Sequence, residues 1–163
     1  MSNPHTGSVA AALRKAALLA DIEPDGNLQR QALDEARLLQ LRRAYQAFLA
    51  ELAFQLQLGG QPDSALALAR LAESQGKGCG EARELLELLE EPDSWLSSLE
   101  RAWAGLWDFS GDANQQRASE PTLIPSRDLG RRPLEALNGQ QVDHWQSALS
   151  EIIRRQRAHS AEW

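Results

Sequence analysis

Between Leu38 and Leu58 apolar positions recur with a helical period, in the run LLQLRRAYQAFLAELAFQLQL. At 100° per residue, Leu38, Leu41, Tyr45, Phe48, Leu49, Leu52 and Leu56 fall within about 100° of arc, a stripe that faces a core. Ala47, Ala50, Phe54 and Leu58 form a second, smaller-residue face. A helix with two apolar faces is contacted from both sides, which predicts the central helix of a bundle.

The rest of the chain supplies its neighbours. Ser8 to Ile22 reads as a first helix, closed by the turn signal Pro24-Asp25-Gly26-Asn27. The long helix runs from about Leu28 to Leu58 and ends at Gly59-Gly60. Pro62-Asp63-Ser64 restarts helix with Ala65, Leu68, Ala69 and Ala72 on one face, and Gly76 stops it. Glu81 to Glu90 turns Leu85, Leu86 and Leu89 inward, and a fifth helix extends from Ser94 to Phe109. A last helix is capped by Asn138, carries Val142, Trp145, Leu149, Ile152 and Ile153 inward, and ends near His159. Residues 1–7 and 159–163 are expected to fray.

Between Ser110 and Asn138 periodicity fails, and Gly111, Pro121, Pro125, Gly130 and Pro133 punctuate a stretch longer than an ordinary connection. Thr122-Leu123-Ile124-Pro125 is its one extended apolar island, expected to lie against the bundle. No strand pattern survives, and no repeat recurs, although Tyr45 to Glu73 has the spacing of one tetratricopeptide hairpin. The prediction is an all-α single domain over 1–163, with about six helices, a long central helix and an extended loop near 110–138.

Composition narrows the function classes. The 163 residues carry a net charge of −6 and one cysteine, which disfavours a general nucleic-acid binder and fits a cytoplasmic setting. Arg14 and Lys15 interrupt the only candidate export core, and Arg42, Arg43 and Glu51 exclude the central helix as a membrane span. Charge is uneven: Glu81 to Glu100 holds seven carboxylates against Arg83, and Arg127 to Arg157 holds six arginines against four acids. Such a bipolar surface suits a charged partner or head-to-tail dimerisation.

Candidate chemistry is sparse. Gly76-Lys77-Gly78-Cys79-Gly80 follows a helix rather than a strand and lacks the ending of a phosphate-binding loop. Cys79 near a helix start would be reactive only if its thiolate were stabilised there. Glu84, Glu87 and Glu91 share a helix face without the Glu-x-x-His pairs of a di-metal bundle. His144 lies within a helix beside Glu151 and Arg155, but no nucleophile turn accompanies it. Arg154, Arg155 and Arg157 spread around their helix instead of forming a stripe. Neither metal nor cofactor is called for.

The strongest surface candidate is aromatic. Trp95, Leu99, Trp103, Leu106 and Trp107 span about 120° of one helix, an arc suited to a core, with any uncovered remainder serving as an interface or pocket wall. Trp103, Trp107, Leu123, Ile124 and Arg155 are accordingly the residues expected to meet a partner or ligand. The leading expectation is a non-enzymatic interaction or adaptor bundle that binds a protein partner or forms a homodimer. A nucleic-acid-associated bundle and a small-ligand bundle with a tryptophan-lined pocket are the alternatives.

Taken as an ensemble, Ala44-Tyr45-x-Ala47-Phe48-Leu49-Ala50, Trp95-Leu96-x-x-Leu99-x-x-Ala102-Trp103-x-x-Leu106-Trp107, Leu123-Ile124, Val142-x-x-Trp145-x-x-x-Leu149 and Glu162-Trp163 resemble a family of uncharacterised helical proteins of pseudomonads and related gammaproteobacteria. The resemblance covers most of the chain. It implies an all-helical fold and a bacterial cytoplasmic setting, with no activity to transfer. A helical ribonuclease using an Arg-x-x-x-x-His pair would need a histidine that neither Arg42 nor Arg43 has.

Overall fold

The computed structural model describes residues 3–109 and 137–161. Six α-helices occupy these residues: α1 (Thr6–Ala20), α2 (Asn27–Gln55), α3 (Ala65–Ser74), α4 (Gly80–Glu90), α5 (Trp95–Gly105) and α6 (Gly139–Ala161). They form an all-α single domain, and no strand occurs among the described residues.

The 29-residue α2 is the central element, touched by α1, α3, α5 and α6, with α1 its most extensive neighbour. Leu38, Leu41, Tyr45, Phe48, Leu49 and Leu52 of the predicted stripe are all buried. The second face is narrower than its sequence suggests. Ala50 and Leu58 are buried and Ala47 is partly so, whereas Phe54 is exposed and meets the ring of His5 edge-on.

Two adjoining apolar clusters make up the core. The larger joins Val9 and Ala12 to the C-terminal half of α2, to α3 and α4, and to Leu149, Ile152 and Ile153 of α6. The smaller gathers Ala16, Leu38, Leu41, Leu99, Val142 and Trp145 around the N-terminal half of α2.

Side-chain caps fix the starts of α3, α5 and α6. Ser64 accepts from the Ala67 N–H at 3.2 Å and starts α3. Ser94 accepts from the Ser97 N–H at 3.1 Å to start α5, and its own hydroxyl donates to the Leu88 carbonyl at the end of α4. Asn138 and Gln141 form a reciprocal capping box at α6: the Gln141 N–H donates to Asn138 Oδ1 at 3.0 Å and the Asn138 N–H to Gln141 Oε1 at 3.3 Å.

Where α2 ends, the expectation needs correction. The helix stops at Gln55, not at Gly59-Gly60, because Gln57 takes the left-handed conformation (φ 53°) and closes a Schellman turn. Gln57 N–H donates to Phe54 O at 3.0 Å and Leu58 N–H to Ala53 O at 2.9 Å. Lys77 Nζ then donates to the carbonyls of Leu56 and Gln57, and Gln75 to that of Leu58. Gly76 (φ 65°) makes the same kind of turn at the end of α3, as its sequence predicts.

Two ion pairs tie α2 to α6. Arg37 donates to Asp143 near the start of α6, and Arg157 near its end holds both oxygens of Glu51 at 2.8 Å. Each pair joins residues 106 apart in sequence, so the two helices run parallel, with the clasps separated by about 21 Å at 1.5 Å per residue. Asn3, within the stretch expected to fray, donates its side-chain amide to the Glu51 carbonyl at 2.9 Å.

Candidate functional site

The aromatic arc begins inside the core and ends outside it. Leu99 is buried, Trp95 and Trp103 are half-buried against the smaller cluster, and Trp107 is 64% exposed. The reason is local: α5 closes at Gly105, four residues short of the expected Phe109. The Trp107 N–H reaches Ala104 O and the Asp108 N–H reaches Gly105 O, contacts of a tighter turn. Helical phase is lost there, so Trp107 leaves the arc that burial of the preceding residues defines. Trp103 and Trp107 meet edge to face, ring centroids 5.7 Å apart, and Phe109 follows at 70% exposure.

The other sequence candidates are dispersed. Arg155 pairs with Glu84 of α4, which also accepts from Gln156. Arg154 makes a bidentate pair with Glu151 in the same helix, and that pairing holds the Glu151 carboxyl below its usual range. With Arg157 on Glu51, each of the three clustered arginines faces a carboxylate. Leu123, Ile124, Arg127, Arg131 and Arg132 lie outside the described residues.

The glycine-rich loop has a structural role. Cys79 is the N-cap of α4, its sulfur accepting from the Ala82 N–H at 3.4 Å, and Lys77 caps the carbonyl end of α2. Burial, reinforced by Glu81 at 3.7 Å, pushes the Cys79 thiol up, away from a reactive thiolate. Glu84 of the acidic trio turns to Arg155, and Glu87 and Glu91 are exposed. No group of three metal-ligating side chains occurs among the described residues. His144 is exposed, with Glu151 engaged elsewhere.

What the sequence reading missed is a set of buried charges on α2. Asp34, Arg37 and Glu51 are almost fully buried. Arg42, its side chain 13% exposed, lies 3.3 Å from Glu100 and stacks 5.3 Å above the Tyr45 ring. Burial raises the Glu100 carboxyl, Arg42 opposing it, and raises the Tyr45 phenol. A signal existed for Asp34: carried one turn backwards, the Leu38 stripe lands on position 34, at about 320° and inside the arc.

A helical bundle in which ion pairs with one buried partner each clasp a central helix and one short helix ends in exposed aromatics defines the class of this protein. The chain belongs to a family of unknown function (DUF6586), whose model matches residues 5–163. No curated protein and no solved structure matches. None of the described helices is long and apolar enough to cross a membrane.

Proposed function

We propose that the protein is a non-enzymatic interaction module of the bacterial cytoplasm that associates with a second copy of itself through the aromatic end of α5. Exposure of Trp107, stacked on Trp103 and followed by exposed Phe109, carries this reading. Large exposed aromatics are characteristic anchors of protein interfaces. A two-fold contact lets each copy set its Trp107 against the partner's Trp103–Trp107 pair, in the edge-to-face geometry that aromatic rings favour. In this proposal Trp103 and Trp107 are the anchors, and Arg155, engaged with Glu84 of α4, stays outside the contact. The pairing of Arg154, Arg155 and Arg157 with carboxylates favours protein association over contact with nucleic acid.

Sedimentation over a concentration series tests the reading. The wild-type mass should rise toward that of a dimer with a blue shift in tryptophan emission, and Trp107→Ser should hold the chain monomeric at an unchanged melting temperature. A monomeric wild type throughout, with no change in emission, would remove the proposal.

A further inference from the structure

A cavity of about 670 Å³ opens where the α1–α2 turn meets the first turn of α6. That volume lies within the range of small-molecule sites, roughly 300–1,000 Å³. Leu19, Ile22 and Leu33 give it an apolar wall. Asp34 and Arg37 of α2 also line it, with side-chain exposures of 8% and 6%.

Two carboxylates share the one buried guanidinium. Arg37 gives Nη2 to Asp143, while its Nη1 stands 3.8 Å from Asp34, beyond hydrogen-bond reach. Among the described residues its Nε has no partner and Asp34 accepts no hydrogen bond. A buried carboxylate without a donor is costly, and an ionised donor from a ligand would offset that cost. Gly139 leaves the approach open, since a Cβ there would stand 3.4 Å from Asp34 Oδ1. Arg30 lies at the exposed rim, where water screens its charge.

We propose that this cavity binds a small organic ammonium with a short alkyl chain, the ammonium against Asp34 and the chain along Leu19, Ile22 and Leu33. An ammonium has three donors to give to a carboxylate that receives none. An organic anion, by contrast, would find the cations of the cavity, Arg37 and Arg30, already facing Asp34 and Asp143. This inference is independent of self-association, because it uses α1, α2 and the start of α6 instead of the end of α5.

The test is titration of the isotopically labelled full chain with n-hexylamine and, separately, hexanoate, followed by two-dimensional NMR. Hexylamine should shift the amides of Ile22, Leu33 and Gly139 saturably, and hexanoate should leave them in place. Asp34→Asn should weaken binding at least about tenfold, the scale of one lost charged hydrogen bond. Ile22→Trp, at a wall position 45% exposed and therefore tolerant in folding, should fill the mouth and abolish binding. Equal binding of hexanoate, shifts confined to the acidic surface of α4, no saturable shift, or undiminished binding in either folded variant would each overturn the proposal. Should Asp34→Asn fail to fold, Ile22→Trp and the anion control still decide.

Discussion

Gln57 occupies a backbone conformation that glycine enters freely and other residues enter at a cost of roughly 1–2 kcal/mol. Its side chain is exposed, so little packing opposes replacement. Gln57→Gly should stabilise the fold by about 1 kcal/mol, and Gly76→Ala, at the matching turn after α3, should destabilise it by a similar amount. For a chain of this length each change moves the melting temperature by about 2–4 °C, which calorimetry would register. A lower melting temperature for Gln57→Gly would contradict the strain argument. Glu51 makes the opposite point, since its carboxylate is buried and depends on Arg157. Arg157→Met leaves that charge unpaired and should cost about 3–5 kcal/mol in urea unfolding, against much less for Arg154→Met at the exposed pair with Glu151.

Helices were legible in the sequence to the extent that a local signal existed. Apolar period placed α2 and α6, and Ser64 and Gly76 marked the ends of α3 and Asn138 the start of α6, because a cap acts through its own backbone neighbours. The end of α2 escaped because Gln57 does what Gly59 was expected to do, and only the tertiary donors Lys77 and Gln75 disclose where the last carbonyls go. The aromatic arc was half legible: phase counting holds for Trp95 to Trp103 and fails once α5 closes at Gly105. Arg37, Arg42 and Glu51 were not legible as buried charges, since each takes its partner from a distant element, whereas the phase of the stripe alone reaches Asp34. Capping also yields a prediction at this scale. Asn138→Ala should remove one side of the α6 box and cost about 0.5–2 kcal/mol, with amide exchange accelerating first in the opening turn of α6.

At the level of the whole molecule the two α2–α6 clasps have opposite polarity. Arg37 on α2 meets an acid on α6, and fourteen residues later Glu51 on α2 meets an arginine. Reversing either helix would oppose Arg37 to Arg157 and Glu51 to Asp143, so the pattern selects the parallel arrangement as well as stabilising it. Glu100 shapes the response to pH. Burial raises its carboxyl above the ordinary 4.5, so the folded state holds that proton more tightly than the unfolded state. Its contribution therefore favours folding below the ordinary value and is lost as pH rises through the raised one. Glu100→Gln, which resembles the protonated form, should resist urea better than wild type at neutral pH, and the gap should close on acidification below 4.5. A gap that widens in acid would reverse the sign of that argument.

The clasps also impose an order of events. Glu51 is translated long before Arg157, its partner 106 residues further on, and Arg37 waits as long for Asp143. Until α6 emerges from the ribosome, α1 to α5 contain a central helix whose Arg37 and Glu51 lack their α6 partners and whose core lacks Val142, Trp145, Leu149, Ile152 and Ile153. Assembly of this domain thus waits for α6: nascent chains stalled before α6 should stay protease-sensitive, and emergence of that helix should confer resistance in a single cooperative step.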